Sequence, residues 1–388
     1  MDERIIVAQL IPGLIAGDLG GGLELYSIRL AQALDKTKFR VQIVNLWRFD
    51  RPIERQWEAE LRDSGIEVYY GAWFGQPMRR AMMQAWHNLR PQLQQLRPHI
   101  LHAHGEYAGI AGMALRLTTN RPRLIRTCHT TLEFPNHRHL QFITAALYPL
   151  LADVQVGVSA AIVDNLRQHS LARLTRRPVS LINNGIDLER VLQRRTGADL
   201  RQELGLAADI PLFGLVGRLT EQKGIPYALQ AFVQVREQLP AAVLVIAGDG
   251  YGEKPQALKA QATALGLDRS VYWLGARADA IDIIASLDVL VSSSLWEGLP
   301  TVILEAMALG IPVVATDIPG TRELICHEHT GLLAPPRDPA ALAQAMVRLV
   351  SDRGLARRLA AAAREHATQF TIDAAARQYE RLYRLLMR

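Results

Sequence analysis

Short apolar runs alternate with stretches of helical period along the whole chain. Ile5 to Ile11 reads as a buried strand, and a glycine cluster (Gly17, Gly20, Gly21, Gly22) follows it. Leu23, Tyr26, Ile28, Leu30 and Leu34 then recur at helical spacing. Further strands are predicted at Val41–Leu46, Ile100–His102, Leu124–Thr127, Val154–Val158 and Val179–Ile182. Near residue 180 the pattern restarts. Leu212–Val216 is apolar, the loop Gly217–Gly224 is polar, Tyr227–Leu239 has helical period, and Val243–Ala247 is apolar again before Gly248-Asp249-Gly250. Leu188 to Asp209 is polar and helix-prone and opens this second half. Strands at Val271–Trp273, Asp288–Ser292 and Pro312–Ala315 follow. A helix at Thr301–Leu309 starts behind Pro300, and another starts at Asp338-Pro339, a capping residue followed by proline. The last helix, Thr371 to Met387, places Ile372, Ala375, Tyr379, Leu382, Tyr383 and Leu386 on one stripe that needs a partner surface. Strand–helix alternation predicts the α/β class: parallel sheets with helices on both faces, arranged as two doubly wound domains.

Composition narrows the picture. The 388 residues are 49% hydrophobic and 21% charged, which excludes a disordered, fibrous or coiled-coil protein. Two cysteines, Cys128 and Cys326, cannot build a disulfide framework and fit a reducing compartment. The start, Met1 to Arg4, lacks a basic leader, and no run approaches the ~18 apolar residues of a membrane span, so a cytoplasmic location is expected. The net charge of +6 lies wholly in the first half, where 23 basic residues face 17 acidic ones up to residue 190. That excess is mild, and no RNA- or DNA-binding module accompanies it, so nucleic acid is not an expected partner.

Open parallel sheets bind ligands beyond the carboxyl ends of their strands, and two such domains facing each other make a cleft. In GRLTEQKG, Arg218 and Lys223 lie in such a loop, close to a helix start. Two fixed cations there suit a diphosphate whose charge grows as it leaves a sugar. The chain has only five lysines against 39 arginines, so a lysine at this spot is informative. The strongest pattern is WEGLPTVILEAMALGIPVVAT. Glu297 sits in a loop, and Glu305 lies inside an otherwise apolar helix, where a carboxylate is expensive to bury alone. Glu305 could accept bonds from a ribose diol. The amides of Gly298, Leu299, Thr301 and Val302 would face a phosphate or a sugar hydroxyl at the helix start. Gly20-Gly21-Gly22 permits close approach of backbone to ligand. Neither G-x-G-x-x-G nor the Walker A pattern occurs, which disfavours a dehydrogenase or a P-loop enzyme.

Taken in order, these motifs resemble the retaining nucleotide-sugar glycosyltransferases of family 4, which have the GT-B fold. The resemblance covers nearly the whole chain. It runs through GGLE at 21–24, CHT at 128–130, GVSAAIVDNL at 157–166, NNGID at 183–187, GRLTEQKG at 217–224, IAGDG at 246–250, the two glutamates at 297 and 305, PVVATDIPGTREL at 312–324 and TGLLAPP at 330–336. It implies two Rossmann-like domains facing across a cleft. Residues 1–180 with 371–388 would form the acceptor-binding domain and residues 181–370 the nucleotide-sugar domain, with the C-terminal helix crossing back to the first. Position by position, it implies that Arg218, Lys223, Gly21, Gly22, Thr301 and Val302 hold the donor diphosphate. Glu297, Gly298 and Leu299 would meet the donor sugar, Glu305 the ribose, and the Gly275–Arg277 turn, with Arg277, the base. Glu297 and His129 are the expected catalytic pair, His129 approaching the C6 side of the sugar.

Family members usually need no metal, and no D-x-D motif is present. His102/His104, His137/His139 and Cys326-His327-Glu328-His329 lack a further ligand at typical spacing, so neither metal nor other cofactor is expected. The resemblance implies a nucleotide-sugar co-substrate, by its EGLP form a UDP-hexose or UDP-N-acetylhexosamine more than a GDP-mannose, and a lipid-linked or polysaccharide-type acceptor. The acceptor should lie on the first domain, with His104 and Arg138 as its expected contacts and Thr130–Leu150, including Phe134, Pro135, His137 and His139, as its loop. Met78–Arg97 carries Arg79, Arg80, Arg90 and Arg97 with Met82, Met83, Trp86 and Leu89. It reads either as a basic helix on an anionic membrane or, preferably, as a core helix with a solvated arginine face. Peripheral contact with the inner face of a membrane is thus an added expectation. The competing functions are a nucleotide-sugar epimerase or hydrolase and a non-catalytic nucleotide-sugar-binding protein.

Overall fold

The computed structural model describes residues 4–16, 21–134, 137–168, 175, 177–193, 199–250 and 254–388. Met1 to Glu3, Gly17 and Gly20 of the glycine cluster, Pro135, and residues 194–198 of the helix-prone stretch lie outside these.

The chain divides into two units. One comprises the N-terminal strand, Gly22–Gly185 and Ile372–Arg388, and the other Ile186–Thr371. The first is built on β1 (Ile5–Ile11), β2 (Phe39–Arg48), β3 (Glu67–Trp73), β4 (Ile100–His104), β5 (Arg123–Cys128), β6 (Val154–Gly157) and β7 (Val179–Leu181). Among the described residues these form one sheet in the order β3-β2-β1-β4-β5-β6-β7, parallel throughout. The second unit is built on β8 (Leu212–Val216), β9 (Val243–Ala247), β10 (Val271–Gly275), β11 (Val289–Ser292), β12 (Val313–Thr316) and β13 (Leu332–Ala334). Their order is β10-β9-β8-β11-β12-β13, again parallel.

Both sheets reverse strand order once, between β1 and β4 and between β8 and β11. In doubly wound sheets that reversal splays the flanking loops apart and creates the ligand crevice. The loops after β1 and β4 in one unit, and after β8 and β11 in the other, are therefore where chemistry is to be sought.

Apolar strands are covered on both faces, as parallel sheets require. The helix Ile372–Leu386 buries Ile372, Ala375, Ala376, Tyr379 and Tyr383 in the first unit's core, beside the helix Gly22–Ala33. Its apolar stripe thus finds a partner there. The helix Met78–Leu96 buries Ala81, Ala85, Leu89 and Leu93, one residue per turn, while Arg90 donates to the Thr118 carbonyl. Core packing is therefore its role, and its buried side offers no apolar face to a membrane. Among the described residues no helix is long and apolar enough to cross a membrane.

Candidate active site

The loop after β8 turns on glycines. Gly217 (φ +149°) leaves the strand, Leu219 is buried as an anchor, and its N–H donates to the Asp249 carbonyl at 2.8 Å. Gly224 (φ +57°) ends the turn, and a Cβ there would lie 2.1 Å from the Ser293 carbonyl oxygen. Only glycine therefore lets this loop touch the loop after β11. The two loops are further tied by Leu295 N–H donating to the Gln222 carbonyl (2.7 Å) and Ser293 Oγ donating to the Lys223 carbonyl (2.7 Å).

This contact brings Lys223 and Glu297 together. Lys223 Nζ donates to Glu297 Oε1 at 2.7 Å, Ser294 Oγ donates to the same oxygen at 2.7 Å, and Gln222 Nε2 donates to Oε2 at 3.0 Å. The Glu297 side chain is 8% exposed and that of Lys223 is 18% exposed. A buried carboxylate is tolerable only when its lone pairs are filled in this way. Lys223 keeps further N–H groups for a second anion. Sequence reasoning missed Gln222 and Ser294. Ser294 stands three residues before Glu297, the S-x-x-E spacing that brings a hydroxyl and a carboxylate together locally, and that signal could have found it.

Arg218 is exposed, and no carboxylate among the described residues pairs with it. Gly21 groups with this unit and lies beside it: a Cβ on Gly21 would be 3.3 Å from Arg218 Nε. The helix Thr301–Leu309 begins after Pro300 with no side-chain cap, so its first amides remain for a ligand. Gly298 and Leu299 are buried in front of it. Thr301, Val302 and Glu305 share the half-buried side, whereas Ile303, Leu304 and Ala306 to Ala308 are buried.

Burial pushes the Glu305 carboxyl up to about 7 from an ordinary 4.5. The folded chain thus favours the neutral form, and ionising Glu305 costs stability as pH rises from 4.5 through 7. Glu305→Gln should therefore raise the melting temperature relative to the parent at pH 8 and change it little at pH 4. Thermal denaturation at the two pH values reads this, and equal shifts would contradict it.

Arg277 is held in place by two carboxylates. Its guanidinium forks onto Glu203 (2.7 and 3.0 Å) and Asp279 (2.8 and 2.6 Å), which uses four of its five N–H donors. In the same turn, a Cβ on Gly275 (φ +67°) would meet nothing within 4 Å.

In the first unit, Gly22 opens the helix Gly22–Ala33 after β1, and Gly105 (φ +84°) follows β4. His129 follows β5 and is half-buried, and its Nε2 lies 3.2 Å from His104 Nδ1. Burial holds the His129 imidazole down at about 3, with the charge of Arg126 adding to the effect, so the ring is neutral near pH 7. His104 is fully buried rather than open to an acceptor, which corrects the expectation of a cleft residue. Arg138 is exposed at the start of the helix Arg138–Leu151. No described residues gather three or more His, Cys, Asp or Glu groups into a metal cage. In the Cys326–His329 stretch, His327 Nδ1 accepts from Leu333 N–H, and Glu328 pairs with Arg348.

Two family models match the chain, Glycosyltransferase Family 4 over residues 20–190 and Glycosyl transferases group 1 over residues 198–366. The chain belongs to glycosyltransferase family 4. This glycosyltransferase is 29% identical to the D-inositol 3-phosphate glycosyltransferase of Corynebacterium urealyticum over 94% of its own length and 91% of the relative's. It is also 29% identical to the UDP-Gal:alpha-D-GlcNAc-diphosphoundecaprenol alpha-1,3-galactosyltransferase of Escherichia coli, over 70% and 72%. Its fold is GT-B. HepE of Anabaena, solved with UDP and glucose, superposes with a TM-score of 0.79 at 24% identity, covering 98% of this chain and 99% of that one.

Proposed function

We propose that this glycosyltransferase moves a hexosyl or N-acetylhexosaminyl unit from a UDP-sugar, with retention, to a hydroxyl of a lipid-linked or polysaccharide-type acceptor. The observation that carries the donor half is the Lys223–Glu297 pair at the point where strand order reverses, beside the unpaired Arg218 and an uncapped helix start. Arg218 and Lys223 take the diphosphate, together with Gly21, Gly22 and the amides of Thr301 and Val302. Glu305 takes the ribose diol. Glu297, with Gly298 and Leu299, takes the sugar, and His129 is assigned to the same sugar. UDP is favoured because the Escherichia coli relative is named for UDP-Gal and the Anabaena structure holds UDP.

In the reaction the bond from the anomeric carbon to the diphosphate oxygen breaks, and the acceptor oxygen bonds the same face. The acceptor proton passes to the leaving phosphate. The diphosphate gains negative charge as the bond opens, and Arg218, Lys223 and the helix amides stabilise that charge more than they stabilise the bound donor. UDP-, GDP- and ADP-sugars tested by thermal shift, followed by donor turnover with and without acceptors, test this reading. Donor consumed equally fast without an acceptor would mark a hydrolase or an epimerase instead.

A lipid-linked acceptor is supported by the relative named for a diphosphoundecaprenol substrate and by the helix Arg138–Leu151. That helix turns Thr144, Tyr148 and Pro149 inward but leaves Phe142 (78%), Ile143, Leu147 and Leu150 exposed along one side, behind Arg138. The chain should float with anionic lipid vesicles, and Phe142→Asp should cut the bound fraction by about tenfold or more. A parent chain that stays wholly in the aqueous fraction would remove the membrane from this reading.

A further inference from the structure

A layer of polar side chains lies inside the first unit, between its sheet and the C-terminal helix. His102 Nδ1 is 2.7 Å from the Tyr383 hydroxyl, and His102 Nε2 is 2.7 Å from Thr127 Oγ1. Thr127 Oγ1 is in turn 2.9 Å from the Tyr379 hydroxyl. The chain Tyr383–His102–Thr127–Tyr379 thus joins two turns of the helix Ile372–Leu386 to β4 and β5. His102 and His104 project from the same face of β4, and their ring centroids are 4.0 Å apart. His104 Nδ1 then meets His129 Nε2 at 3.2 Å, and Tyr26 packs edge-on against His129 at 5.6 Å.

His102, His104, Thr127, Tyr379 and Tyr383 are all 0% exposed. His129, the group at the end of the stack, alone keeps surface. The bonds of Tyr383, His102, Thr127 and Tyr379 to one another are all made, whereas His104 Nε2 and His129 Nδ1 are buried without a partner among the described residues, a layer that apolar side chains would pack at lower cost. The stack runs from a helix near residue 380 to one half-open imidazole at the carboxyl edge of the sheet, where ligands bind.

We propose that Tyr383 and Tyr379 are positioning residues for His129. Their hydroxyls fix His102 and Thr127, and the stacked ring of His104 transmits that fixed geometry to the His129 imidazole. The catalytic part of this inference rests on the reading that His129 meets the donor sugar. Each neutral imidazole carries one N–H, and one of these hydrogens occupies the His104–His129 contact. If His104 Nδ1 holds it, His129 carries its own hydrogen on Nδ1, an atom that is buried and without a partner among the described residues. If His129 Nε2 holds it, Nδ1 is a bare acceptor. Ring placement in the stack therefore decides whether the one unpartnered nitrogen of His129 is a donor or an acceptor, and whether a ring turn can bring it to a sugar hydroxyl. Without the Tyr383 hydroxyl, His102 Nδ1 is left buried and unpartnered, its ring turns to find another partner, and the support beneath His104 is lost.

The test is Tyr383→Phe in the full chain, read by imidazole ¹⁵N–¹H spectra and by steady-state kinetics. Leu61→Val, a truncation in the same core away from the stack, serves as the control for lost stability. The expected result is that Tyr383→Phe shifts the His129 and His104 ring signals and lowers kcat by about tenfold. Donor KM and UDP affinity should stay within about twofold, and Leu61→Val should keep kcat at a similar loss of melting temperature. Unchanged His129 signals in Tyr383→Phe would overturn the proposal, as would a kcat loss in both variants that merely follows melting temperature. His129→Ala separates the two layers of the argument. If that variant turns over normally, the assignment of His129 to the donor sugar fails, and with it the catalytic part, while the ring signals still decide whether the C-terminal helix sets the stack.

Discussion

Glu297→Gln should lower kcat about a hundredfold while leaving the chain folded and UDP affinity within a few-fold of the parent. One carboxylate oxygen of Glu297 receives Lys223 Nζ and Ser294 Oγ, and the other receives Gln222 Nε2. Glutamine keeps its oxygen for Lys223, and the Gln222 amide can turn to accept from the new N–H. Shape and hydrogen bonding survive, but the negative charge is lost. That charge matters most when the sugar becomes cationic and the diphosphate departs, so kcat suffers more than binding. Alanine is the less informative substitution. It would strand Lys223, whose side chain is only 18% exposed, and breaking a buried pair by removing one partner costs about 3–5 kcal/mol. Rate measurements on Glu297→Gln at saturating donor check the prediction, and near-parental kcat would remove Glu297 from the reaction.

Arg218→Ala should weaken UDP binding by about 10–100-fold, the range for losing a charged hydrogen bond of about 1.5–3 kcal/mol. The fold should barely respond. Arg218 is exposed and forms no ion pair among the described residues, so the stability change should stay within ~0.5 kcal/mol. Arg218→Lys should recover part of the affinity, because a point charge replaces the planar fork only in part. Calorimetric titration with UDP measures both variants. Unchanged affinity in the alanine variant would show that the diphosphate lies elsewhere.

Residues that act through chain-local spacing were legible in the sequence. β1, β8, β9 and the helix Thr301–Leu309 run over the residues their apolar patterns predict. Strands β3 and β13 escaped notice, whereas the other two edge strands, β7 and β10, did not. Glu67 and Trp73 at the ends of β3 are exposed, so that strand never reads as an apolar run. β13 is three residues long. The cations of the β8 loop and both glutamates stand out because charge in apolar company is conspicuous. The histidine stack does not, because its bonds join residues from 25 to 281 positions apart. Tyr379 and Tyr383 look like members of an apolar stripe, and their rings do fill the core. Nothing local in the sequence shows that their hydroxyls also have partners. The partners of Arg277 were hidden in the same way: its place in a motif says nothing of Glu203, a residue 74 positions away that accepts two of its hydrogen bonds.

The central claim is that Arg218 and Lys223 share one diphosphate while Glu297 stands at the sugar. A crystal structure of the chain with a bound UDP-sugar tests it most directly. The account predicts diphosphate oxygens at ~3 Å from both cations, the ribose diol on Glu305 and the sugar against Glu297. A diphosphate held by other residues, with the Lys223–Glu297 pair untouched, would contradict it.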